Sequence, residues 1–142
     1  VNAPPRFLFD ECVGKPLMLA LEREVGSQFE FVHLCDYFRA GIPDNEWIPQ
    51  AAGGNWIVVT GDSGKHSGKG KKLPDLCRNH SITHIILGPK LHHQSGMTKR
   101  IVIADLWPLI ETLPGEPAGS RYRIVLRTVA GVSGYRLVHE VA

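Results

Sequence analysis

"RFLFDECVGKPLMLALERE", Arg6 to Glu24, is the stretch on which the fold turns. An apolar run, Phe7-Leu8-Phe9, stops at two acids, Asp10 and Glu11. Pro16 then opens a pattern in which Leu17, Met18, Leu21 and Val25 fall at helical spacing, and Pro suits a first helical turn. This reads as a short buried strand passing through an acidic turn into an amphipathic helix. A carboxylate at the tip of such a strand either caps the next helix or does chemistry.

The alternation continues outward from that stretch. "FEFVHL" (29–34) alternates like a strand, and "YFRAGIP" reads as loop. "DNEWIPQAA" is expected to be a short helix with Asp44 as its N-cap, ended by Gly53-Gly54. "WIVVT" (56–60), β-branched and bounded by Gly54 and Gly61, is the most strand-like segment. After the Gly-rich basic loop "GDSGKHSGKGKK", "LPDLCRNHS" predicts a short helix and "THIILG" a fourth buried strand. The apolar spacing over 98–113 predicts a helix interrupted near Pro108, and "GEPAGS" a linker. "YRIVLRTVAGVSGYRLVHEV" reads as two strands around a Gly-containing turn. Strands alternating with helices imply an α/β fold with a mainly parallel sheet, here with a C-terminal β-hairpin.

The 142 residues, 43% apolar and 21% charged, fit one domain with a core that needs no disulfide or metal. Cys12, Cys35 and Cys77 share no C-x-x-C spacing and are odd in number, so reduced thiols in a cytoplasmic protein are expected. No apolar run approaches a membrane span, and "VNAPPR" is not read as a signal peptide. A formal net charge of +2 is too mild to argue for nucleic acid by itself.

In parallel sheets, groups at the carboxyl ends of strands meet in a crevice beside a topological switch point. Asp10 and Glu11 follow the first strand, Asp36 the second and Asp62 the third, while Asp44 and Glu46 begin the intervening helix. Carboxylates gathered on one edge repel one another unless a cation sits among them. Oxygen donors suit Mg²⁺ or Mn²⁺, which activate water and stabilise the leaving oxygen in phosphodiester cleavage. Each acid also has a structural reading. Asp10 and Asp44 can act as helix caps, Glu46 favours the helix dipole, and Asp62 can be a turn residue. Asp36 reads as a loop acid and Glu11 as a solvated neighbour.

At "FLFDE", "GIPDNEWI" and "WIVVTGD" the chain resembles the PIN-like nuclease domains, in particular the VapC-type toxins of toxin–antitoxin pairs. The resemblance extends over about the first 110 residues. It implies a single Rossmann-like PIN-type domain, with 1–113 as the nuclease part and 114–142 as strands completing it. The implied activity is a Mg²⁺- (or Mn²⁺-) dependent endoribonuclease toxin, with RNA as substrate, a cognate antitoxin as partner and a homodimer as assembly. Carried over by position, Asp10, Asp44 and Asp62 are the catalytic and metal carboxylates, with Glu46 as the alternative to Asp44. Where many relatives carry a further acid shortly after the third, this chain has Ser63 and Lys65.

Lys65, Lys69, Lys71 and Lys72 follow Asp62 and would hold phosphates flanking the scissile one; a solvated loop is the plainer reading. "GKGKK" is not a phosphate-binding P-loop, because the G-x-x-x-x-G-K-[ST] spacing is absent. His92 and His93, being adjacent, are not expected to share a metal; RNA contact or a polar loop fits them better. Trp47, Trp56 and Trp107 are expected in the core, with Trp47 the best exposed candidate for base stacking or antitoxin contact. The alternative function is a non-catalytic RNA- or nucleotide-binding module on the same sheet. A haloacid-dehalogenase-type phosphatase ranks third, because it needs an Asp where Cys12 stands.

Overall fold

Residues 5–26, 28–61 and 73–141 are described by the structure, a computed structural model. Strands β1 (Arg6–Phe9), β2 (Glu30–His33), β3 (Trp56–Thr60), β4 (Thr83–Leu87), β5 (Arg121–Val129) and β6 (Val132–Glu140) form one sheet in the order β2-β1-β3-β4-β5-β6. The first five run parallel, and β6 returns antiparallel to β5. This is the expected mixed α/β fold with its C-terminal hairpin. The helices are α1 (Lys15–Val25), α2 (Leu34–Tyr37), α3 (Asp44–Ala51), α4 (Leu73–Asn79), α5 (Pro89–His92) and α6 (Gly96–Ile110).

Strand alternation sorts the core into two layers. Phe7, Phe9, Phe31, Ile57, Val59, Ile85 and Ile124 point to one face, where Leu17, Met18 and Leu21 of α1 and Ile103, Trp107 and Ile110 of α6 cover them. Phe7 and Phe31 lie 5.0 and 5.3 Å from Trp107 between ring centroids. Leu8, Val58 and Trp56 point the other way, under Trp47, Ile48 and Ala51 of α3 and Leu73, Leu76 and Cys77 of α4. Each fully buried large side chain contributes roughly 1.5–3 kcal/mol.

Connections explain what the layers leave open. From β3 to β4 the chain crosses over the α3/α4 face, but from β4 to β5 it crosses over the α1/α6 face while stepping the same way. The two crossovers therefore have opposite hands, against the strong general preference for one hand. With α6 on the α1 side, the outer halves of β5 and β6 carry no helix on the α3/α4 face among the described residues.

Three local expectations change. Leu34–Tyr37 is a short helix, where the strand was expected to run through Leu34 and loop was expected at Tyr37; His33 Nδ1 caps it by accepting from Cys35 N at 3.3 Å. The helix expected over 98–113 runs Gly96–Ile110, because Ser95 caps it early, accepting from Thr98 N. Pro108 does not interrupt it, lying in the last turn with the helix continuing to Ile110. No helix among the described residues is long and apolar enough to cross a membrane.

Candidate active site

The sheet order reverses at β1, since β2 lies on one side and β3 on the other. The crevice beyond the ends of β1 and β3 is therefore the topological switch point, where α/β folds bind ligands. Asp10 stands there. Its backbone N–H donates to Val59 O at 3.0 Å, extending the β1–β3 ladder by one step. Because Phe9 faces α1 and α6, Asp10 takes the opposite, α3/α4 face. It does not cap α1, whose N-cap is Gly14 without a side-chain bond.

Asp10 is 9% exposed, and its carboxylate is bonded on both oxygens by its own turn: Oδ1 accepts from Glu11 N at 2.8 Å and Oδ2 from the Cys12 thiol at 3.2 Å. The Cys12 sulfur in turn accepts Gly61 N–H at 3.2 Å. One thiol thus links the ends of β1 and β3 and orients Asp10 between them. Burial pushes the Asp10 carboxyl above the usual carboxylate range; the Cys12 and Glu11 hydrogen bonds oppose this, and the charges of Asp44 and Glu11 add to it.

Asp44 reaches this neighbourhood through a clamp. Glu11 Oε1 accepts from Gly41 N at 2.9 Å, fastening the β1–α1 turn to the segment that leads into α3. Gly41 has φ 73°, a conformation that favours glycine. Asp44 is the first helical residue, not the expected N-cap, which is Pro43. Its Oδ1 accepts from Trp47 Nε1 at 3.0 Å. Trp47 is fully buried, in the core as expected and so not available for base stacking, and its indole N–H is used to hold the acid in place. Asp44, on α3, thus shares the α3/α4 side of the sheet with Asp10; burial pushes the nearby Cys77 thiol up, and the charges of the two acids add to it.

The remaining candidates divide by position. Glu46, one turn along α3, forms an exposed ion pair with Arg39. Asp36 pairs with Lys15 at 2.7 Å. Asp62, the residue after Gly61, and Lys65, Lys69, Lys71 and Lys72 lie outside the described residues. Among the described residues no group of three or more His, Cys, Asp and Glu side chains is placed to hold a metal ion. The described part of the site thus consists of Asp10 and Asp44, an oxygen-donor pair whose mutual repulsion a hard cation would relieve.

Two histidines tie segments together at this edge: His92, which the sequence offered for RNA contact or a polar loop, and His33, which was not legible as a site residue. His33 Nε2 meets Val13 O at 2.7 Å, tying the end of β2 to the β1–α1 turn. The His92 ring lies directly on Gly61: a Cβ there would fall 2.0 Å from Nδ1. Gly61 is thus required by close approach, and the "HH" pair is carried to the tip of β3. Further along, His84 is wholly buried on the α3/α4 face, its Nε2 2.8 Å from Thr60 Oγ1, and its Nδ1 has no hydrogen-bond partner among the described residues. Burial, with the charges of Arg121 and Arg123, lowers its pKa to about 3, so it stays neutral.

No curated protein and no solved structure matches this chain. The family model described as "PIN like domain" matches residues 5–67, the span that holds β1, β2, β3 and every acid discussed above. That match, on a mainly parallel sheet with acids at its switch point, supports a PIN-like domain, and PIN-like domains are generally nucleases.

Proposed function

We propose that the chain is a metal-dependent endoribonuclease in which Asp10, Asp44 and Asp62 hold Mg²⁺ or Mn²⁺. The observation that carries this reading is the buried Asp10 carboxylate, held at the switch point within electrostatic reach of Asp44 and inside the PIN-like match. When bound, the cation supplies charge neutralisation on the phosphate and activation of water for attack on phosphorus. The chain's own residues do the rest. Cys12 and the Glu11 N–H fix the Asp10 oxygens, Trp47 fixes Asp44, and the Glu11–Gly41 clamp keeps the two acids on one side of the crevice. Lys65, Lys69, Lys71 and Lys72 hold the flanking phosphates without reading sequence. Glu46 would have to leave Arg39 to join the metal.

The test is cleavage of RNA by the wild type in Mg²⁺, Mn²⁺ and chelator, beside Asp10→Asn and Asp62→Asn. Loss of cleavage in chelator and in both folded variants is expected; full activity in both variants rejects the assignment. A second reading is a non-catalytic RNA-binding module on the same sheet. It predicts RNA binding without cleavage in any metal. The finer role, a toxin silenced by a cognate antitoxin and acting as a homodimer, rests on motif resemblance. Co-purification and inhibition by the product of the adjoining gene, with sizing of the free protein, test it.

A further inference from the structure

The β5–β6 hairpin outruns the sheet. β4 pairs with β5 only from His84↔Arg121 to Leu87↔Ile124, whereas β5 and β6 continue through five more pairs, from Val125↔Arg136 to Val129↔Val132. At about 3.3 Å per residue this arm extends about 16 Å past the last β4 pairing. Ala130 (φ 52°) and Gly131 (φ 78°) close it with both turn residues left-handed, as a two-residue hairpin of type I′ requires. Because β5 is parallel to the other core strands, the arm leaves from their carboxyl ends, the same edge as Asp10.

Its two faces differ. Tyr122 and Ile124 belong to the core on the α1/α6 face, so Leu126 and Thr128 share that side with their partners Tyr135 and Ser133. The alternate residues, Arg121, Arg123 and Arg127, with Arg136 opposite Val125, therefore lie on the α3/α4 side, the side of Asp10 and Asp44. Glu140 neutralises the base of this row by pairing with Arg121 and Arg123. Beyond it, residues 125–136 contain two arginines and no acid. Arg127 and Arg136 are both exposed and make no ion pair among the described residues. The row of Arg123 is level with Asp10, three strand spacings away, or about 14 Å.

We infer that the β5–β6 arm is a backbone clasp for single-stranded RNA, with Arg127 and Arg136 binding phosphates of the strand whose scissile bond lies at Asp10. The inference rests on the nuclease reading for its substrate. The arm's register, side and charge carry the rest: a polyanion crossing the crevice on the α3/α4 side meets an uncompensated cationic ribbon a few nucleotides from the acids. Arginine contacts of this kind confer affinity without base preference.

The experiment measures anisotropy of a labelled oligouridylate over a salt series in chelator, where no cleavage intervenes. It compares wild type, the double variant Arg127→Gln/Arg136→Gln, and Arg23→Gln on α1 of the opposite face. Two lost phosphate contacts should lower the slope of log K against log salt by about 1.4 and weaken binding about tenfold at 0.1 M salt. Arg23→Gln should leave the slope unchanged. An unchanged slope and affinity in the double variant, an equal loss in Arg23→Gln, or no RNA binding by the wild type overturns the clasp. Tighter, arm-dependent capture of polyglutamate than of oligouridylate reassigns the arm to an acidic protein and overturns the RNA assignment. Arm-dependent RNA binding by a wild type that cleaves in neither Mg²⁺ nor Mn²⁺ keeps the clasp and sinks the nuclease reading alone.

Discussion

On the α1/α6 face of the sheet, Phe7, Phe9, Val59, Ile85 and Ile124 interlock with Trp107 in an apolar layer, with the buried polar residues His33 and Thr83 at strand ends. One residue along the same strands, on the α3/α4 face, Leu8 and Val58 alternate with Asp10, Thr60, His84, Arg121 and Arg123. The period of two that builds a strand thus divides labour between faces. One face is mainly packing, its buried His33 bonded to Val13 O, and the other carries a run of groups whose burial costs free energy unless they are bonded or used. The difference teaches where a substitution trades stability for activity and where it can only lose stability.

The comparison is most exposed at Asp10. Asp10→Asn is expected to lower RNA cleavage on the order of a thousandfold, as for loss of a principal electrostatic group at a reaction centre. The same change should raise the melting temperature in chelator at pH 7. The folded-state carboxyl is raised by burial, so its neutral form favours folding; the stability is full below its ordinary value and is lost as pH rises through the folded one. The gain in the variant should therefore vanish on acidification. A variant less stable than wild type at pH 7 would break the proposed division of faces.

Trp107→Ala tests the opposite face. Loss of its contacts with Phe7 and Phe31 should cost about 3–5 kcal/mol in urea unfolding, while cleavage per folded molecule is retained. Smaller again is the pH effect of His84. Its folded pKa lies near 3, below the ordinary 6.5, so its contribution is full above 6.5 and is lost as pH falls toward 3. Wild type should lose about 2 kcal/mol between pH 6.5 and 5 relative to His84→Gln, read as the difference between two urea series. Parallel pH profiles would show that the His84–Thr60 pair is not the neutral, buried group described here.

The smallest effect is assigned to Cys12. Cys12→Ala should slow cleavage about fivefold, roughly 1 kcal/mol for one hydrogen bond from a weak thiol donor to the carboxylate, and Cys12→Ser should recover most of it. Equal rates for Ala and Ser would mean that the thiol only fills space between β1 and β3.

Legibility in the sequence follows the range of the forces involved. β1, β3, β4 and α1 could be read because burial writes itself into local periodicity, and the acids could be read because they follow those strands directly. What escaped depends on distant partners. Nothing local marks Cys12 as the bridge to Gly61, 49 residues on, nor Gly61 as the seat of His92. Trp47 could be read as core, but not the bond of its indole N–H to Asp44 three residues earlier, which lets a polar-tipped ring be fully buried. The hairpin was foreseen, but its overhang was not, since that is fixed by where β4 stops. The opposite-handed crossover likewise has no signature in the apolar pattern of α6.

The overhanging arm also bears on how the chain reaches its native state. β5 and β6 are neighbours in sequence, so their pairing closes on the microsecond scale, while the parallel pairs must wait for distant segments. During that wait a nine-residue strand edge with Leu126, Val129 and Val132 exposed is a template for pairing between nascent chains. Arg127 and Arg136 interrupt that apolar surface with like charges that two copies would bring together. The arginines that would grip a nucleic acid in the finished protein therefore serve earlier as gatekeepers against aggregation, and neutralising them should lower the yield of refolding at high concentration before any ligand is present.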